Sequence, residues 1–240
     1  MSISLRTEDM KGEQIVKEYL IRYFYEPIKN NNILENIYDY RAINDYEQQI
    51  NGIDTICYTI NGQELKIDEK CALSYINKNL STFAFELLWH RNGEEKDGWL
   101  INNNLQTQYY FIMWLNGIDI RDKNTGELLE KYDYIKKMTV DHINHIELFV
   151  IHKKLLIEYL AKIGLSAESM KNKAREMIAN NKTRDIVNQD IDIWYVYSNK
   201  LAEKPVNLII SKELLKKIAN PIFEIEPNQI KRNKKTIFSI

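Results

Sequence analysis

The stretch Ile53–Ile60, Asn61-Gly62, Gln63–Ala72 constrains this chain more than any other. Asn-Gly between two apolar runs is the strongest short-range signal for a β-hairpin, because both residues accept the positive φ that a tight reversal needs. The hairpin carries charge at its open end. Asp54 heads the first strand, and Asp68-Glu69-Lys70 closes the second behind Leu65-Lys66-Ile67. Asp68 and Lys70 leave one face of their strand and Glu69 the other.

For Asp54 to join Asp68 the chain needs a three-residue loop, a bulge, or an Asp54 that precedes the regular ladder. A two-residue loop pairs residue 60 with 63 and sets Asp54 opposite Glu69. A three-residue loop, Ile60-Asn61-Gly62 with Gly62 left-handed, pairs 59 with 63 and sets Asp54 opposite Asp68. Apolar matching is satisfied either way, by Ile56 with Ile67 or by Cys57 with Leu65. Two carboxylates and a lysine gathered on neighbouring strands would form a compact site for a hard divalent cation, Mg²⁺ or Mn²⁺. Such a site promotes phosphodiester hydrolysis.

The remaining chain reads as a mixture of helices and strands. Thr7–Tyr25 predicts an amphipathic helix capped by Thr7 and ended by Pro27 and Asn30-Asn31-Asn32. Residues 38–51 read as a polar approach to the hairpin. Strands are predicted at Thr82–Trp89 and Tyr109–Leu115, with a charged loop Arg91–Asp97 between them. Gly117 opens a short hairpin with Asn124-Thr125-Gly126 at its tip. Thr139–Asn180 reads as helical, broken at Gly164 with Ser166 as a cap. Strands Ile191–Tyr197 and Val206–Ile210 and a helix Ser211–Ala219 follow. This order implies an α/β protein with a central mixed β-sheet flanked by helices, in one domain spanning 1–240.

Composition narrows function mainly by exclusion. A net charge of −1 gives no global attraction to nucleic acid, so a polyanion site must be a local patch. The basic run Lys231, Arg232, Lys234, Lys235 is one candidate. Two cysteines, Cys57 and Cys71, are too few for a disulfide framework and read as free thiols of a cytoplasmic protein. No apolar run approaches a membrane span. His142, His145 and His152 lack the Glu-x-x-His or cysteine partners of a zinc site. Gly-x-Ser-x-Gly and Gly-rich phosphate loops are absent from the sequence. Trp99 could stack on a base but reads first as packing, and Glu86, an acid within an apolar strand, requires a partner.

Asn51-Gly52-Ile53-Asp54, the hairpin, Ile67-Asp68-Glu69-Lys70, and a third strand bearing Phe85-Glu86 resemble the core of the PD-(D/E)xK nuclease superfamily, with Ile53 where the superfamily name has proline. The resemblance covers residues 8–115. It implies a restriction endonuclease-like core, with residues 139–240 forming a helical and β C-terminal extension. It further implies a metal-dependent nuclease acting on DNA, with Asp54 and Asp68 binding Mg²⁺ or Mn²⁺, the Glu69 backbone carbonyl as a further ligand, and Lys70 orienting the attacking water. By the same resemblance Glu13, or alternatively Glu18, is the helix glutamate of the site, and Gln48 is an additional polar residue. The competing expectation is a non-catalytic module that binds nucleic acid or protein on the same fold. The sequence does not fix the oligomeric state, a homodimer included.

Overall fold

The computed structural model describes residues 5–31, 33–39, 51–91, 93–188 and 191–233. Its frame is a seven-stranded mixed sheet ordered β1-β2-β3-β6-β7-β11-β12 and a five-stranded sheet ordered β5-β4-β10-β9-β8. The strands are β1 Leu34–Asp39, β2 Thr55–Thr59, β3 Glu64–Cys71, β4 Thr82–Arg91, β5 Glu94–Asp97, β6 Tyr109–Gly117, β7 Ile143–His152, β8 Arg184–Asn188, β9 Ile191–Tyr197, β10 Val206–Ser211, β11 Ile222–Glu226 and β12 Gln229–Asn233. In the larger sheet only the β3–β6 pairing is parallel. The smaller sheet is antiparallel throughout.

The hairpin adopts the three-residue connection. Thr55 pairs with Ile67, Cys57 with Leu65 and Tyr58 with Glu64, and the Thr59 amide donates to Gln63 at 2.9 Å. Gly62 closes the loop at φ +74°, which an L side chain would oppose. The first helix is longer than its periodicity predicts. α1 Leu5–Leu20 passes into a π-helical turn, Ile21–Tyr25, and then α2 Glu26–Asn30. Pro27 follows directly on the π-helical turn, and the helical path continues through it to Asn30, so it does not end the rod. Since the helix is already under way at Leu5, Thr7 is not its cap.

Several other expectations are corrected. Residues 143–152, predicted helical, form the interior strand β7. Glu94–Asp97 is a strand paired with β4, not a loop. Leu34–Asp39, read as partly polar approach, pairs with β2. The strand bearing Phe85-Glu86 belongs to the smaller sheet, and β6 is the neighbour of β3. The reversal after Gly117 is held by one bridge, Arg121 to Leu128. A helix α3, Lys131–Lys137, was not anticipated. Beyond it lie α4 Lys153–Lys162, α5 Ala167–Ala179, capped by Ser166, and α6 Lys212–Ile218, capped by Ser211. Residues from 139 onward supply strands to both sheets.

Two apolar cores result. One joins α1, α2 and α3 to one face of the larger sheet, through Tyr19, Phe24, Tyr25, Ile67, Phe111, Tyr134 and Leu148. The other fills the space between the larger sheet's opposite face, the smaller sheet and α4–α6, through Phe85, Leu87, Tyr110, Ile112, Phe149, Leu156 and Leu208. Strand β3 thus has a helix on one side and the second sheet on the other. No helix among the described residues is long and apolar enough to cross a membrane.

Candidate active site

Alternation along β3 places its three charges on two different faces. Asp68 and Lys70 point into the space between the sheets, and their ion pair spans 2.6 Å. Asp54 lies just before the regular β2 ladder, its amide donating to the Ile67 carbonyl at 2.9 Å. Its Oδ2 accepts the Glu69 amide at 2.8 Å, which fixes the carboxyl beside β3. The Asp68 carboxyl in turn donates to Asp54 when protonated. Asp54, Asp68 and Lys70 are therefore together, through the register that the three-residue loop sets.

The surroundings are hostile to two ionised acids. Asp68 is 2% exposed. Burial pushes its carboxyl up to about 7, Lys70 pulls it down, and neighbouring Asp54 adds to the rise. Glu86 reaches about 7 as well, through burial first, with Lys70 opposing and Glu203 adding. Glu86, on a strand of the smaller sheet, therefore lies within electrostatic reach of Lys70. Trp99 forms the wall on that side. Its ring lies 5.5 Å from the Lys70 ammonium and packs on Phe85 and Tyr110 at 5.1 and 4.9 Å. Gly98 lets this loop close on β4, since a Cβ there would stand 2.3 Å from the Glu86 carbonyl oxygen.

Glu69 turns the other way, into a buried cluster that no local pattern announces. Its Oε1 accepts hydrogen bonds from Lys17 at 2.7 Å, Tyr25 at 2.6 Å and Thr55 at 2.8 Å. Lys17 also bonds Thr55 and lies 3.9 Å from Asp39. Lys17 stands within the apolar stripe of α1, between Val16 and the pair Tyr19-Leu20, and that placement was the available signal of burial. The π-helical turn sets Tyr25 toward β3.

The other predicted residues are dispersed. Glu13 is an exposed residue of α1 beside Cys71, whose thiol is raised by burial and then by Glu13. Cys71 leaves the helix-covered face of β3, so Glu13 is not brought to Asp68. Glu18 is exposed and pairs with Arg22 at 2.9 Å. Gln48, Lys234 and Lys235 lie outside the described residues. Lys231 and Arg232 sit on β12, the far edge strand. It is four positions from β3 in the sheet order, or about 19 Å at about 4.8 Å per strand. His145 is on a strand and pairs with Glu224 at 2.5 Å.

Whether this geometry fits a divalent cation depends on the acid pair. Among the described residues, no three or more His, Cys, Asp or Glu side chains gather as a metal cage. Two adjoining carboxyls are nonetheless the donor set Mg²⁺ uses when water and substrate phosphate complete its octahedron. The proton that burial keeps on Asp68 near neutrality is what a cation would displace. No family model matches the chain, and no curated protein or solved structure matches it.

Proposed function

We propose that the protein is a metal-dependent nuclease that hydrolyses phosphodiester bonds of DNA. The observation carrying this reading is the convergence of Asp54, Asp68 and Lys70 at the open end of the hairpin. Asp54 and Asp68 would hold Mg²⁺ or Mn²⁺. Bound there, the ion would supply Lewis acidity toward the phosphate and a water of lowered pKa.

The chain's own residues divide the remaining work. The Glu69 amide holds Asp54 against rotation. With a cation on the two acids, Lys70 would orient the attacking water and meet charge developing on the phosphate. Trp99 limits the space into which that ammonium can swing. Glu86, raised to about 7 by burial and within electrostatic reach of Lys70, would add a titrating group beside the site.

The test is degradation of plasmid and linear duplex DNA by the pure protein with Mg²⁺ or Mn²⁺, alongside Asp68→Ala. Metal-dependent cleavage lost in the variant supports the assignment, and cleavage surviving in it removes Asp68 from the site. The second reading, a non-catalytic binding module, draws on the absence of a three-residue metal cage among the described residues. Calorimetry showing no Mn²⁺ binding, together with intact DNA, would favour it.

A further inference from the structure

We infer that Lys153 is a phosphate-contacting residue of this site, holding a nucleic-acid strand beside the acid pair through its ammonium group; the inference rests on the nuclease reading. Lys153 is the first residue of α4, immediately after β7. Its amide donates to the Gln108 carbonyl at 2.9 Å, and the Gln108 amide donates to the Lys66 carbonyl at 2.9 Å. The start of α4 is thereby fastened to β3 just ahead of Asp68. Across the sheet, Asp68 pairs with Tyr110, and Tyr110 with Ile151. Helix α4 inserts Leu156 and Leu160 into the core that contains Tyr110 and Phe85, so it packs on the face of Asp68 and Lys70.

What distinguishes Lys153 is that no counter-ion is paired with it among the described residues. It is half-buried, and among the described residues it forms no ion pair; its hydrogen bond is a 3.3 Å contact to the Asn102 carbonyl. Asp68 lies within its field but is engaged by Lys70. Other shielded lysines have acids within reach: Lys17 has Glu69, Lys171 has Asp97, Lys173 has Asp185 and Lys212 has Glu147. Burial lowers the Lys153 pKa, the signature of an ammonium that has lost water without full compensation. Lys154 follows it, and the first turn of α4 holds no acid, so the helix dipole adds to the cost. An incoming phosphate would relieve these costs together.

The partner follows from the same chemistry. Next to Lys153, the loop from Asn102 to Gln108 exposes Asn103, Asn104 and Gln106, which are uncharged and rich in donors and acceptors. Lys66, bonded to Gln106 at 3.0 Å, adds a second cation on that rim. A polyanion carrying hydrogen-bonding groups fits this border, and a nucleic-acid strand laid from Lys66 past Lys153 would offer its phosphates to the acid pair.

The experiment compares wild type, Lys153→Met and Lys153→Arg in the full chain. Fluorescence anisotropy of a labelled duplex is recorded in EDTA over a range of KCl concentrations. Lys153→Met should weaken binding several-fold and flatten the slope of log affinity against log salt by about one unit, with Lys153→Arg restoring both. Its melting temperature should equal or exceed that of wild type, because an uncompensated ammonium has been removed. Unchanged affinity and slope, a clear loss of thermal stability, or no DNA binding by wild type would each overturn the inference. Cleavage without any dependence of binding on Lys153 defeats this inference alone. Binding through Lys153 without cleavage in any divalent metal defeats the nuclease reading alone.

Discussion

Two neighbouring acids on one strand, Asp68 and Glu69, have opposite settings. Both are buried, at 2% and 6% exposure. Glu69 receives three donors, one of them a lysine, and forms a clamp between the first helix and the sheet. Asp68 has one lysine and a second acid against it, and its carboxyl is driven up to about 7. The helix-covered face of β3 is satisfied. The face toward the second sheet is left frustrated, as a site that awaits a cation would be.

The sharpest way to break this contrast is to remove the acid on each side. Asp68→Ala, or Lys70→Met on the same face, should reduce metal-dependent cleavage by a factor on the order of 10²–10⁴ without lowering the melting temperature. Comparable turnover in either variant, measured on plasmid DNA, would end the catalytic assignment of that residue. Glu69→Ala should do the reverse. It strands the Lys17 ammonium in the interior and should cost about 3–5 kcal/mol in urea unfolding. Adding Lys17→Met to that variant should recover much of the loss. If the double variant is no more stable than the single one, the clamp is not the reason Glu69 is buried.

Titration sharpens the comparison further. Asp68 binds its proton more tightly folded than unfolded, so its contribution to stability is present in full below 3.8 and lost as pH rises toward about 7. Over the same window a divalent ion competes with that proton, so Mn²⁺ affinity should rise with pH and level off above about 7. Asp68→Asn should flatten the stability profile between these values, leaving the smaller part due to Glu86, which shares the window. Denaturant melts across the range check the sign: stability increasing with pH through this interval would contradict the assignment. The smallest effect is expected from Tyr25→Phe. It deletes one hydrogen bond to a charged partner and should cost about 1.5–3 kcal/mol in the same urea assay, with cleavage unaffected.

The half of the site on the hairpin was legible in the sequence because turn chemistry and strand period are local. Asn61-Gly62 left two regular registers, and the three-residue one sets Asp54, just ahead of the ladder, opposite Asp68. The interior strand β7 was not legible. Ile146, Leu148 and Val150 serve one core while Phe149 and Ile151 serve the other, so both faces are apolar and the alternation that marks a strand disappears. Reading β7 as helix also hid the start of α4, and with it Lys153. Lys17 escaped notice for a different reason. A lysine in an amphipathic helix is ordinarily solvated, and only its partner Glu69, far along the chain, reveals that it is buried. The third strand was misplaced because adjacency in sequence suggested adjacency in the sheet, whereas β4 crosses to the second sheet before β6 returns beside β3.

That crossing has a consequence for how the chain acquires its structure. The β2–β3 hairpin is local and needs no later segment, but β4 pairs with β10, a strand from much later in the chain. The parallel β3–β6 contact must likewise wait for the intervening β4–β5 segment to be set aside. Pairings so distant make folding slow and late-closing. The two acids therefore emerge from the ribosome on an open hairpin in water, and they become confined only when the second sheet closes over them.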